Sequence, residues 1–361
     1  MSDFGRRQPR IRFSLFDWLD ETGRGLGKSY EERLELLELA DRLDVFCYHL
    51  AEHHGTELST VPSPNLFLSA VAQRTRRIRL GPLGYVLPTY NPLRLLEEIC
   101  MLDQLSGGRL EVGLSRGSSP HEVDFFGVHR DDSRPMFLET LDILRAGLAT
   151  GRIDHHGRYF RYDNVVTRLH PRQKPYPPLW YPTSNVDSIP WIAAQGLNTV
   201  FAVHLARSFD EVSEMLALYR REYAAHQDDL DRLNGHVADP HYGFSLHVHV
   251  AESDDLAVEQ ARPAFGHFMH NFTQRFIERG IADKIDRYTE RMDFDAELAK
   301  GRLLVGSPAT VRDKLGSMLR QSSANYFVGS FFFGSLTFEQ ARRSVELFAT
   351  QVQPALEHGF D

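Results

Sequence analysis

Only two cysteines, Cys47 and Cys100, occur in 361 residues, so no disulfide framework can underlie the fold. Each sits among apolar neighbours and reads as a small buried hydrophobe, which suits a reducing compartment. No run of about 18 apolar residues exists to cross a membrane as a helix. The opening residues, MSDFGRRQPRIRF, lack the apolar stretch of a signal peptide. A cytoplasmic protein without membrane contact is expected. A net positive charge is also lacking, the formal net charge being −8. The one arginine cluster, Arg74, Arg76, Arg77 and Arg79, falls where a helix leads into a strand. No nucleic-acid partner is expected.

Several catalytic signatures are missing as well. There is no G-x-S-x-G elbow, no H-E-x-x-H helix and no nicotinamide fingerprint. Gly23–Ser29 (GRGLGKS) imitates a phosphate loop, but the required first glycine falls on Thr22. No linker rich in proline, serine or glycine divides the chain, and no internal repeat is visible.

What is present is strict alternation. With 42% hydrophobic and 25% charged residues, the composition is that of a globular protein. Strands are predicted at Ile11–Phe16, Val45–Leu50, Ile78–Gly81, Leu110–Leu114, Leu179–Pro182, Asn198–Ala202, Gly243–Val250 and Asn325–Phe331. Helical patterns separate them, and a closing helix covers Phe338–Leu356. Eight alternations favour a single α/β domain over residues 1–361, a (β/α)8 TIM barrel. Two excursions exceed the barrel: a polar hairpin near 152–178 and a charged segment near 270–305, long enough to act as a lid.

The richest stretch runs from Val86 to Val128. Asn91 is a good N-cap and Pro92 fits the first helical position. An apolar stripe follows to Gly107-Gly108, which stops the helix. Leu110, Val112 and Leu114 then alternate as a strand ending at Ser115-Arg116-Gly117. In a barrel this turn lies on the catalytic face, where an arginine beside glycine and serines suits a phosphate. A surface salt bridge is the plainer alternative for Arg116.

The other strand ends supply Asp17-Trp18, Glu52-His53-His54, Leu83-Gly84-Tyr85, Ser184-Asn185, His204 and His249. Successive residues of an extended segment point oppositely, so only one of His53 and His54 can serve a common site. Glu52 is available as a partner, and a structural role for the pair is an equal alternative. Trp18, Tyr85, His204 and Phe331–Phe333 suggest an apolar, aromatic-tolerant pocket, unless they are ordinary core. His247 and His249 share a face at the spacing of a metal pair. Only one later strand remains to supply further ligands, so packing is favoured and no metal is expected.

With these residues in view, the chain resembles the bacterial luciferase-like monooxygenases, the flavin-dependent group that includes the luciferase alpha subunit. The resemblance runs through Ala51-Glu52-His53-His54, Val86-Leu87-Pro88-Thr89, Leu102-Asp103-Gln104 and Gly107-Gly108-Arg109. It continues in Gly113-Leu114-Ser115-Arg116-Gly117, Phe126-Gly127, Trp191-Ile192-Ala193-Ala194-Gln195-Gly196 and Val305-Gly306-Ser307-Pro308.

The resemblance implies a monooxygenase in which reduced FMN and oxygen form a flavin C4a-hydroperoxide that oxidises a small organic substrate. It implies a separate flavin reductase as partner, and a homodimer. His53 matches the catalytic histidine, with Glu52 beside it, and Arg116 matches the arginine on the flavin phosphate. Leu83-Gly84 matches a cis non-proline peptide beneath the flavin ring. Two departures limit the likeness. Ser115 stands where luciferase has a reactive cysteine, and the phosphate-binding set after the fifth strand becomes Ser184, Asn185 and Ser188. Neither light emission nor an aldehyde substrate is implied. The alternatives are an F420-dependent dehydrogenase of the same superfamily and a non-catalytic flavin-binding subunit.

Overall fold

The computed structural model describes residues 10–117 and 120–357. Eight parallel strands follow the predicted order: β1 (Arg12–Asp17), β2 (Cys47–Leu50), β3 (Arg79–Pro82), β4 (Val112–Ser115), β5 (Leu179–Trp180), β6 (Thr199–Ala202), β7 (Tyr242–Val250) and β8 (Tyr326–Ser330). β1 pairs with both β8 and β2, β2 with β3, and β7 with both β6 and β8. β4 pairs with β5.

The ladder is not one continuous sheet. Two single parallel bridges, Leu80↔Leu110 and Trp180↔Asn198, carry the wall from β3 to β4 and from β5 to β6. The result is a curled, TIM-like parallel sheet with helices outside. At the β3–β4 join the backbones almost touch. A Cβ on Gly81 would overlap the Glu111 carbonyl, and one on Gly113 would overlap the Pro82 carbonyl. Only glycine admits this approach.

Pleating sorts the side chains. On β8, Tyr326 and Val328 join Leu83, Trp180 and Val200 in one cluster inside the curl, backed by Phe16 and Phe46. Phe327 points the other way, against Phe13 and Phe348 in the layer between sheet and helices. Cys47 and Cys100 are both free and buried in these layers.

The predicted helices form with the capping the sequence suggests. The Asn91 side chain accepts the N–H of Arg94 at 3.1 Å and Pro92 opens helix Pro92–Leu105. Gly107 and Gly108 then leave the helix at φ values of 70° and 85°. The closing segment is helical over the predicted Phe338–Leu356, with a wider π-helical turn at Phe348–Val352 between two α-helical stretches.

Both excursions are ordered. Arg152–His156 and Arg161–Val166 make an antiparallel hairpin. The second excursion holds more structure than its weak periodicity implied. Helix Asp254–Ile277 runs into it, helices Ala282–Thr289 and Phe294–Ala299 follow, and Leu303–Gly306 pairs with β7. Helix Asp254–Ile277 lies across the strand ends: His267 reaches the Glu21 carbonyl and Asn271 the Asp20 carboxylate. No helix among the described residues is long and apolar enough to cross a membrane.

Candidate active site at the strand ends

Beyond β2 the extended chain turns His53 and His54 to different partners, as alternation requires. His53 Nδ1 lies 3.0 Å from Glu122 Oε2, and the same carboxylate accepts the His54 backbone N–H at 3.2 Å. Glu122 comes from the short helix Pro120–Asp124. Its other oxygen is 3.4 Å from the Arg275 guanidinium, delivered by helix Asp254–Ile277. Burial raises the Glu122 carboxyl, but His53, Arg275 and the His54 N–H outweigh it and leave the group below its ordinary value. Glu122 is therefore a carboxylate at neutral pH, which orients Nδ1–H of His53 toward it. Arg275 Nη1 also lies 3.4 Å from this Nδ1, while Nε2 has no partner among the described residues.

His54 Nε2 meets Glu52 Oε1 at 3.0 Å. The other Glu52 oxygen accepts the Val86 N–H at 3.2 Å and the Tyr90 hydroxyl at 2.9 Å. Burial raises the Glu52 pKa, partly offset by these bonds. Glu52 thus ties the β2 end to the chain that follows β3.

The Leu83–Gly84 peptide is cis. Gly84 sits so close to Gly113 and Leu114 that a Cβ there would strike their backbone. At the β4 end, Ser115 Oγ accepts the Gly117 N–H at 3.0 Å, and Gly117 takes a φ of 97°. Arg116 is exposed while its carbonyl is held by Ser133. Ser118 and Ser119, the rest of the expected anion nest, lie outside the described residues.

The segment after β5 comes to the same place. Burial raises the Tyr181 hydroxyl, and the charges of Arg116 and Arg134 pull it back down. Ser184 and Asn185 are exposed, and the Asn185 side chain caps a short turn by accepting the Asp187 N–H at 3.1 Å. Ser188 donates its backbone N–H to the Asn185 carbonyl. Exposed guanidinium, hydroxyl and amide groups at the ends of neighbouring strands are a donor chemistry that suits a phosphate.

Trp18 and His204 come together, ring centroids 5.5 Å apart, with His247 stacked on Trp18 at 5.1 Å. Of the three phenylalanines, Phe333 meets His247 at 4.9 Å, whereas Phe332 lies under Arg33 and Phe331 packs on Phe348. Tyr85 goes elsewhere: fully buried, it bonds the Asn65 side chain and packs edge-on to Tyr90. His249 bonds Gln260 at 2.8 Å. No group of three or more metal-binding side chains exists among the described residues.

Glu122, Arg134 and Arg275 did not emerge from the sequence. Arg275 left a trace: it interrupts a stripe of Phe265, Phe268, Phe272 and Phe276 at helical spacing, and its guanidinium lies 4.6 Å from both the Phe272 and Phe276 ring centroids.

The family model of luciferase-like monooxygenases matches residues 11–325. The chain is 24% identical to the oxygenase component of a flavin-dependent trigonelline monooxygenase from Acinetobacter baylyi, over 96% of this chain and 95% of that one. The crystal structure of the monooxygenase RslO1 from Streptomyces bottropensis superimposes with a TM-score of 0.81 at 26% identity, covering 96% and 99% of the two chains. The oxygenating constituent of 3,6-diketocamphane monooxygenase from Pseudomonas putida, in complex with FMN, shares the fold with a TM-score of 0.76 at 19% identity, over 96% and 98%.

Proposed function

The chain belongs to the luciferase-like monooxygenase family, and from that premise we propose that it is an oxygenase component that takes reduced FMN from a separate flavin reductase. It inserts one atom of O2 into a small organic substrate and releases the other as water. The observation that carries this reading is His53, held through Nδ1 by the Glu122 carboxylate at 3.0 Å with Nε2 left for a reacting group. That is the arrangement of an acid–base histidine.

The flavin, when bound, supplies the two electrons that activate oxygen. Arg116 and Arg134, with Ser115, Gly117, Ser184, Asn185 and Ser188, would hold its phosphate. Leu83-Gly84 offers a flat backbone surface for its ring. His53 exchanges a proton at Nε2, while Glu52 acts as a positioning residue by fixing His54 and the Val86 segment. Trp18 and His204 bound the substrate. The relatives named as an oxygenase component and an oxygenating constituent support the expectation of a reductase partner.

The test is turnover with an added flavin reductase, NADH, FMN and 18O2, reading labelled product by mass spectrometry across a panel of organic substrates. His53→Ala should lose about 100- to 10,000-fold in rate with an unchanged thermal midpoint. Undiminished turnover in that variant, or tighter binding of F420 than of FMN, would overturn the reading.

A further inference from the structure

Beside the proposed flavin site is a second feature with its own chemistry. Trp18, His204, His247, Phe265, Phe268 and Phe333 form a box of rings at the ends of β1, β6, β7 and β8. His247 is its centre: Trp18 stacks on it at 5.1 Å with an interplanar angle of 6°, and Phe268 lies 4.3 Å away. Phe333 and His204 meet it edge-on at 4.9 and 5.8 Å. His247 is 1% exposed, and neither ring nitrogen has a hydrogen-bond partner. A cavity of about 20 Å³ adjoins it, lined also by Phe272, Tyr288 and the buried Glu297–Arg302 pair. That volume holds one water molecule.

A buried imidazole with two unanswered nitrogens is costly unless something else answers them. Burial holds His247 well below its ordinary pKa, so it offers one donor and one acceptor and no charge. Among the charged walls, Glu297 and Arg302 pair at 2.9 Å, and Arg291 donates to the carbonyls of His204 and Ala206. Flat rings on several sides and a neutral polar centre define what fits.

We propose that this box is the substrate pocket and takes a planar aromatic ring bearing a hydroxyl or carbonyl oxygen, which His247 anchors. The inference rests on the flavin-dependent reading above and names its substrate class. A ring exceeds the present cavity, so it enters as Tyr288 leaves Phe272 and Phe276, on which it now packs at 4.9 and 5.4 Å. Helix Asp254–Ile277 links this pocket to the acid–base pair. Phe272 faces the box and Arg275, three residues on, faces Glu122, neighbours on one helical face.

Calorimetric titration of the flavin-free protein with phenol, toluene and cyclohexanol tests the proposal without turnover. Phenol should bind at least fivefold tighter than toluene, which lacks the oxygen, and than cyclohexanol, which is not flat. His247→Phe should erase the preference for phenol over toluene while leaving toluene bound. Equal affinities across the wild-type series, or an unchanged preference in the variant, would overturn it; the wild-type series decides the matter even if the variant does not fold. FMN titration of the same preparation separates the two readings. If FMN binds and phenol shows no preference, only the pocket assignment fails; if FMN does not bind, the flavin reading fails first.

Discussion

His49 and His247 are the same residue, fully buried on neighbouring parts of one curled sheet, and burial holds both neutral, His49 down at about 3. They differ in what surrounds them. His49 Nε2 meets the Tyr326 hydroxyl at 2.7 Å, and that hydroxyl also accepts from Ser14 at 2.7 Å. Nearby, Trp180 donates to Glu111 at 2.5 Å, and Arg79 pairs with the same carboxylate and with Gln173. The inner floor of the sheet is a closed polar network. At the strand ends His247 has no partner, and Arg275 Nε and His249 Nδ1 are also unanswered. A satisfied network fixes a fold, and an unsatisfied one awaits a ligand.

On this contrast, removing a floor residue costs stability and removing an end residue costs binding. The largest effect is expected for Glu111→Ala, which strands the Arg79 guanidinium and the Trp180 N–H: a loss of about 3–5 kcal/mol in urea unfolding. A loss below about 1 kcal/mol would show that the floor is not the closed network drawn here. Arg116→Ala should leave unfolding unchanged yet weaken FMN binding by about 10- to 100-fold, the range for one charge-assisted phosphate contact. Fluorescence titration reads it, and equal affinity would remove Arg116 from the proposed site. The paired substitutions His49→Phe and His247→Phe compare the regions directly. The first should cost about 1–2 kcal/mol by breaking the Tyr326 bond, and the second should be neutral or stabilising. Equal costs would erase the distinction.

How much of this could be read from the sequence depended on the range of each signal. Alternating periodicity is local, so all eight strands and the helix capped by Asn91 were legible, as was the rule that places His53 and Arg116 at strand ends. Glu122 sits in a helix of five residues, too short to show a period. Arg275 meets His53 across 222 residues of chain, a pairing no local pattern encodes. Leu303–Gly306 was missed because its short apolar run, Leu303-Leu304-Val305, was absorbed into the charged segment before it. Tyr85 was misplaced as a pocket wall because a strand end was taken to aim at the mouth. The two-residue strand Tyr85–Val86, paired to β4, instead turns it toward Asn65 and the helices.

The smallest expected effect lies where the two regions meet. Asp20, near the end of β1, is buried, and burial lifts its carboxyl to about 6 against the pull of Arg33, with Asp17 adding to the rise. It accepts the Gly334 N–H at 3.0 Å and an Asn271 N–H at 3.2 Å, so it joins the β8 end to the helix that crosses the mouth. A folded pKa above the unfolded one means that the native state binds the extra proton. Its stabilising contribution is complete below the unfolded pKa, about 3.9, and is lost as pH rises through about 6. Between pH 5 and 7 the wild type should therefore lose about 1 kcal/mol of stability that Asp20→Asn does not lose, since asparagine cannot titrate. Asp17, also raised by burial and paired with Arg33 at 2.9 Å, remains in both proteins. Identical pH profiles for the two proteins would show that Asp20 does not titrate in this range; a flatter profile in the variant would show that its buried carboxyl carries the pH dependence.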